Sequence, residues 1–548
     1  MEMTNSLSLT RAAAQQSMKN EVRLNAAYIE GDWVTIAASD SVGEHALYDP
    51  NSGEVIAKTR LCRSAQVDSA AHAAALAYPS WSQTSVNERA HYLQAIADTM
   101  AQQFEKLVAL SVLNNGKPIA EAKIDVSDAI ACYRYYANLI NAQTTWSKVA
   151  TNETGIRLLK TYAPVGICAL IAPWNFPMVT TAWKLAPALA AGCTVILKPS
   201  EVTLLPELML GNILSTIKLP KGVVNILPGA AEVGAAMTSH PLIDKVSFTG
   251  SNVVGEKVMR QAATGIKDIS LELGGKSAIV VRADANIDYA CDLIIGGIFT
   301  NAGQICSATS RLLVHQDIAQ SLFAALRVKT ETLKIGDGFA VDTQMGPLVS
   351  AQQLAQVKKY IDIAVDENLN CLTGGKILER QGYFVTPTIY TEVPVSSRLW
   401  TEEVFGPVLV STTFADDAWA VELANDSKYA LAATIVSANE TAALEMALQI
   451  QAGHIWVNEQ QIVVPEAGWG GFKQSGIGRE LGAAGLSAYQ KSKHVLLPLQ
   501  LLFLLHCQKK PYIDILYRGF WLMFSRLPHQ IIWNNISGIR VIFCQLDL

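Results

Sequence analysis

The sequence predicts an α/β protein with two parallel-sheet, Rossmann-like domains in tandem. Three observations carry the prediction. Short β-branched runs alternate with helical stretches in two successive series, the pattern of βαβ units. At roughly 150 residues per domain, the 548 residues give about three to four structural units. Half the residues are apolar and only 17% are charged, a composition that buries cores and does not stay disordered.

The elements follow in order. Residues 60–140 place apolar side chains at helical spacing in SAQVDSAAHAAALAYPSW and ERAHYLQAIADTMAQQFEKLVALSVLNN, punctuated by Gly116 and Pro118. The polar alternation of 141–160 predicts a projecting hairpin, whose open edge calls for a partner. From 161, GICALIAP, TVILKPS, VVNILPG, KVSFTGS and SAIVV read as strands. A second series after Cys306, with RLLVH, FVTPTIY, VLVSTTF, AATIVS and HIWVN, predicts the second sheet.

Composition excludes several classes of function. Net charge is −5 with no long basic run, so nucleic acid is not an expected partner. The nine cysteines lack C-x-x-C spacing, which argues against a zinc site, a redox dithiol or a disulfide framework. The N-terminus has no apolar h-region, and the longest apolar run, 495–505, is about half of the roughly 20 residues that a membrane span needs. A cytoplasmic enzyme without a metal is the expectation.

Several segments can carry chemistry. In NAGQICSATSRLLV, Cys306 sits among small residues that leave its sulfur open to reactants, although a small core residue is the plainer reading of any unpaired cysteine. In LELGGKSAIVV, Glu272 closes a strand beside Gly274 and Gly275. Burial there would lift its pKa toward that of a general base for water, unless it pairs with Lys276. Prolines pin APWNFP, where the Asn175 amide can donate to an oxyanion or simply sit in a turn. Lys198 and Glu201 of KPSE follow a strand at the ligand-binding edge of a parallel sheet, and Glu201 would repel a 2′-phosphate, favouring NAD over NADP. FTGSNVVG opens a helix with Gly250 and Gly255 but lacks G-x-G-x-x-G spacing. TEEVFGPVL sets Glu402 and Glu403 before a Phe-Gly-Pro turn.

Taken in order, PWNFP, KPSE, FTGS, LELGG, GQICS, EEVFGP and SGIGRELG resemble the aldehyde dehydrogenase superfamily over roughly residues 25–498. GQICSATSRLLVH, WTEEVFGPVL, WGGFKQSGIGRELG and ELANDS look most like its betaine-aldehyde and aminoaldehyde branch. The resemblance implies an NAD-binding domain from 1–140 and 161–274, a catalytic domain from 275–480, and an oligomerisation element from 141–160 and 481–498. It makes Cys306 the nucleophile, Glu272 the general base and Asn175 the oxyanion donor, with Lys184 and Glu480 in proton relay. It assigns cofactor contacts to Trp174, Lys198, Glu201, Gly250, Ser251, Gly255, Glu403 and Phe405. Phe176, Trp183 and Trp469 match ring positions for a cationic substrate, and Asp125 with Asp128 matches an acidic pair at a tunnel mouth. NAD, a small aldehyde and a second copy of the chain, as dimer or tetramer, are the implied partners.

Two features depart from the branch. Thr300 stands where an aromatic residue is common, and the 460–466 loop reads QQIVVPE without a ring, which weakens a quaternary-ammonium reading. The 499–548 tail matches nothing in the family and has no clean amphipathic period. A general aldehyde dehydrogenase, a CoA-acylating enzyme and a silent oligomeric relative are the competing readings. Glu272 speaks against CoA acylation, which does not need a base for water.

Overall fold

The structure, a computed structural model, describes residues 9–153 and 155–498 and the strands Ile532–Ile536 and Ile539–Phe543. One compact unit takes the chain to Ala142 and from Pro164 to Gln490; the second takes Gln143–Ala163 and the chain from Lys491.

The first unit contains two large sheets. One runs in the order Asp32–Thr35, Ala26–Ile29, Val224–Ile226, Thr194–Lys198, Ile167–Ile171, Lys245–Thr249, Asp268–Glu272, Gly476–Ile477. Its five inner strands are parallel, and the outer pairings are antiparallel. Ile167–Ile171 and Thr194–Lys198 are buried along their whole length, as continuous apolar runs covered by helices on both faces must be. Strand order reverses between Ile167–Ile171 and Lys245–Thr249. The loops that leave these two strands therefore flank a crevice of the kind where parallel sheets bind ligands.

The other sheet runs Asn370–Thr373, Thr388–Thr391, Val408–Phe414, Arg311–His315, Ala278–Val281, Ala432–Val436, His454–Val457. Only Asn370–Thr373 is antiparallel to its neighbour. Each strand run singled out in the sequence contains or overlaps one of these strands, but SAIVV, which was read with the first series, supplies Ala278–Val281 to the second sheet. The helical region resolves into Ser64–Trp81, Val86–Gln102, Phe104–Asn115 and Ile119–Asn141. Gly116 ends the third of these with φ +88, the left-handed conformation that glycine adopts without a Cβ clash.

In the second unit the predicted hairpin forms from Ser147–Val149 and Ile156–Pro164, four residues longer than its expected end at 160, and Gln490–Pro498 joins the other edge of Ile156–Pro164. The 481–498 segment expected beside that hairpin begins differently: Gly482–Ser487 is a helix of the first unit. In the tail, Ile532–Ile536 pairs with Ile539–Phe543; the rest of 499–548 lies outside the described residues. Among the described residues, no helix is long and apolar enough to cross a membrane.

Candidate active site

Cys306 is delivered by an unusual turn. Helix Ile287–Phe299 ends, and Asn301, Ala302 and Gly303 then take φ values of 50°, 51° and 74° before the chain enters Arg311–His315. Left-handed backbone costs an alanine about 1 kcal/mol, so surrounding bonds must hold the turn. Both Glu121 carboxylate oxygens accept the Asn301 N–H, at 3.0 and 3.1 Å. The Asn301 amide donates to the carbonyls of Asn175 at 3.1 Å and Gln304 at 3.3 Å. Burial pushes Glu121 up to about 7.

The Cys306 side chain is partly exposed. Burial, then the charges of Glu403 and Glu272, push its thiol up to about 12, while the backbone N–H groups of Ser307 and Cys306 pull the other way. The small neighbours expected to leave the sulfur open do leave it partly exposed, but burial and the two carboxylates work against the thiolate.

Asn175 follows Ile167–Ile171 across the Trp174 turn. Its carbonyl accepts from Lys117 Nζ at 2.8 Å as well as from Asn301, and its amide donates to the Gln304 carbonyl at 3.0 Å. A side-chain amide has two donor hydrogens, so one remains for a reacting oxygen.

Glu272 closes Asp268–Glu272 and is 4% exposed, with no hydrogen bond to either carboxylate oxygen. Burial raises its pKa well above the usual carboxylate range, Glu480 raises it further, and Lys184 and Arg479 oppose. The alternative pairing with Lys276 does not form. The Lys276 ammonium is buried without a hydrogen-bond partner, and burial beside Arg311 pulls it down to about 7. Gly274 and Gly275 let the chain approach closely: an added Cβ would strike the Glu403 carboxylate from Gly274 and the Cys306 carbonyl from Gly275.

Behind Glu272, Lys184 Nζ donates to Glu480 and, at 2.6 Å, to the Thr249 hydroxyl, and the Ser247 hydroxyl donates to Glu480 at 3.3 Å. Glu480 Oε2 stays unpartnered. Reciprocal backbone bonds hold Glu480 against Trp469.

The other expected contacts divide. Of the two carboxylates in TEEVFGP, Glu402 turns away to Arg398 and Tyr360, whereas Glu403 accepts the Gly275 N–H at 2.9 Å and burial pushes it up to about 7. Phe405 meets Trp174 edge to face at 5.2 Å. Ser251 caps helix Asn252–Ala263 by position, but its hydroxyl takes no first-turn N–H. Gly250 precedes it, and the buried Gly255 packs on Leu273. Lys198 donates to the Pro199 and Gly229 carbonyls at 2.9 and 2.7 Å and to Glu201 at 3.2 Å. Its three N–H groups are committed inside the protein, so it presents Glu201 and does not itself face outward.

Three substrate expectations need correction or addition. Phe176 lies 3.9 Å from Lys117 Nζ, so one of its ring faces already carries an internal cation. Asp125 is buried, 3.5 Å from Lys117, and accepts the Val179 N–H at 2.9 Å; it caps helix Pro177–Ala191 and faces no tunnel. Asp128 does line a small pocket with Cys132, Trp183, Val463, Pro465 and Leu481, and burial beside Asp125 pushes it up to about 6. Trp183 and Trp469 lie 5.6 Å apart, as a paired wall would require. Behind them stand His454, 5.3 Å from Trp469, and Trp456, rings that the sequence pattern hid inside the strand HIWVN. Thr300 bonds back to Gly296.

A family model described as "Aldehyde dehydrogenase family" matches residues 36–495. The chain belongs to the aldehyde dehydrogenase family. It is 41% identical over 479 residues to a peroxisomal aminoaldehyde dehydrogenase 1 of Pisum sativum, covering 85% of this chain and 94% of that one. It is 38% identical to a chloroplastic betaine aldehyde dehydrogenase of Beta vulgaris, covering 85% and 95%. Among solved structures, a Staphylococcus aureus betaine aldehyde dehydrogenase in complex with NAD+ superposes with TM-score 0.86 at 35% identity, covering 91% of this chain and 99% of that one. The α/β aldehyde dehydrogenase fold read from the sequence holds, as does the enzyme class. The cytoplasmic expectation does not: it rested on a missing h-region, whereas the Pisum relative is peroxisomal and the Beta relative chloroplastic.

Proposed function

We propose that the chain oxidises an aldehyde to a carboxylic acid through a thioester on Cys306, with NAD as hydride acceptor and an aminoaldehyde or betaine-type aldehyde as substrate. One observation carries the reading. Two buried carboxylates, Glu272 and Glu403, bear on a single thiol, and one of them has no internal partner.

The residues present fit NAD. The first turn of Asn252–Ala263 has no side-chain cap and offers free N–H groups to a pyrophosphate, Glu201 is held for ribose hydroxyls, and Trp174, Glu403 and Phe405 frame the nicotinamide side. NAD supplies the two-electron acceptor, taking hydride from the former aldehyde carbon. In this assignment 1–140 with 161–274 is the cofactor domain and 275–480 the catalytic one. The strand edges of 141–160 and 490–498 pair copies of the chain into an oligomer.

The protein's own groups do the rest. The Cys306 thiol gives its proton to solvent and the sulfur adds to the carbonyl carbon, giving a hemithioacetal whose oxyanion meets the free Asn175 N–H and the Cys306 backbone N–H. Hydride departure leaves the thioester. Glu272 then takes a proton from water, which attacks the acyl carbon and releases acid and sulfur, while Lys184 and Glu480 carry protons behind it. Per turn, aldehyde, water and the acceptor give acid, reduced acceptor and one proton. Trp183, Trp469 and Asp128 suit a cationic tail, by ring faces and by charge.

A substrate panel tests the branch. Betaine aldehyde and short ω-aminoaldehydes should exceed neutral aliphatic aldehydes of equal length in kcat/KM; equal values across the panel overturn the substrate assignment. Acid-quenched enzyme analysed by mass spectrometry should carry the acyl group on Cys306.

A further inference from the structure

The loop that lines the substrate pocket also holds the loop that carries the sulfur. Gln461 reaches across, and its Oε1 accepts the Ser307 hydroxyl at 3.0 Å. Its Nε2 donates to the Gly297 carbonyl and to the Thr309 hydroxyl, each at 3.3 Å. Gly297 belongs to the helix that enters the Cys306 turn and Thr309 lies on its way out, so one amide grips both flanks and the middle. Space is made for it: a Cβ on Gly297 would sit 3.1 Å from Gln461 Nε2 and collide with Thr309. Ser307 and Thr309 are 3% and 0% exposed, so water cannot replace these bonds.

Only a carboxamide can do this, because one end of the side chain must accept from Ser307 and donate to a carbonyl. A glutamate keeps the acceptor but turns an oxygen toward Gly297; a leucine keeps neither. Two and four residues on, Val463 and Pro465 face the pocket, and the Trp456 indole pins the Ile462 carbonyl at 2.9 Å. The Ser307 backbone N–H is one of two that favour the thiolate of Cys306.

We infer that Gln461 is a positioning residue: it fixes Ser307, the residue that follows Cys306, together with both flanks of the turn, and thereby couples the pocket-lining loop to the nucleophile. The inference rests on Cys306 being the nucleophile. A substrate that seats against Val463 and Pro465 bears on the same loop that sets the sulfur's reactivity.

The test is alkylation of Cys306 by iodoacetamide as a function of pH in the full chain without aldehyde, read by peptide mass spectrometry at that position. Gln461→Leu should move the rate profile to higher pH and slow alkylation at pH 8 about tenfold, the scale of one lost hydrogen bond. Ser307→Ala should match it, and the double variant should add nothing further. Gln461→Glu, which keeps the acceptor, should recover part of the loss. The Leu variant's kcat should fall with KM for NAD unchanged. Profiles that superimpose on the parent's, or additive losses in the double variant, overturn the inference; if Gln461→Leu fails to fold, Gln461→Glu and Ser307→Ala carry the same comparison. Failure of the nucleophile assignment looks different: Cys306→Ala would retain turnover, whatever the alkylation profiles do.

Discussion

Two walls of side chains in the first unit are held by different forces. The first is polar: Glu121, Lys117, Asn301, Gln304 and Gln461 fix the left-handed turn and Asn175 through directed hydrogen bonds, each under 3.5 Å. The second is aromatic: Trp183, Trp469, His454 and Trp456 stack at 4.7–6.3 Å with few directed bonds. Hydrogen bonds specify an atom's place, whereas ring stacking specifies a surface that several side chains can build. The polar wall therefore fixes the backbone around Cys306 and Asn175, and the aromatic wall builds a packed surface.

Changing the proposed reacting groups on the polar side should cost most. Cys306→Ser should lower reduced-nicotinamide formation at least about 10⁴-fold, by loss of the thioester route. Glu272→Gln should slow steady turnover about 10²–10⁴-fold while leaving a first-turnover burst, because acylation does not use that carboxylate; stopped-flow absorbance separates the two phases. Asn175→Ala should lower kcat about 10²–10³-fold, without a burst larger than the parent's.

The aromatic wall predicts a smaller, substrate-dependent effect. Trp469→Leu should cut the preference for a cationic over a neutral aldehyde by roughly 2–30-fold, corresponding to about 0.5–2 kcal/mol of cation–π contact. Equal loss on both substrates would make that ring core packing only.

The smallest effect is on pH. Cys306 and Glu272 both have raised pKa values and both act deprotonated, so turnover should rise with pH from neutral to alkaline, and Glu272→Gln should flatten the deacylation limb. Stability runs the other way. Glu121 and Glu403 rise from 4.5 to about 7 in the fold, so the folded chain holds their protons more tightly than the unfolded one. Their contribution is complete below pH 4.5 and is lost as pH climbs to about 7, which the melting midpoint of Glu403→Gln against the parent should reveal.

Cys306, Glu272, Asn175 and Glu403 were legible in the sequence because they sit in short motifs beside strands, whereas Glu121, Lys117, Asn301 and Gln304 of the polar wall were not. Gln461 was not, since a glutamine in a loop of low pattern carries no signal until the fold brings Ser307 to it. Asp125 misled for a related reason. The resemblance carried Asp125 over with Asp128 as an acidic pair, and only the packing of Ile119–Asn141 against Pro177–Ala191 turns Asp125 inward as a cap. His454 and Trp456 were visible only as strand residues, because alternation tells which face a side chain takes and not what stands opposite it.

The contact between Gly303 and Gly406 sets a limit on redesign. A methyl group at Gly303 would run into the Gly406 carbonyl, and one at Gly406 into Val357, so the nucleophile turn and the Glu403–Phe405 turn touch main chain to main chain. Grafting another protein's loop at either place would shift both reacting partners together.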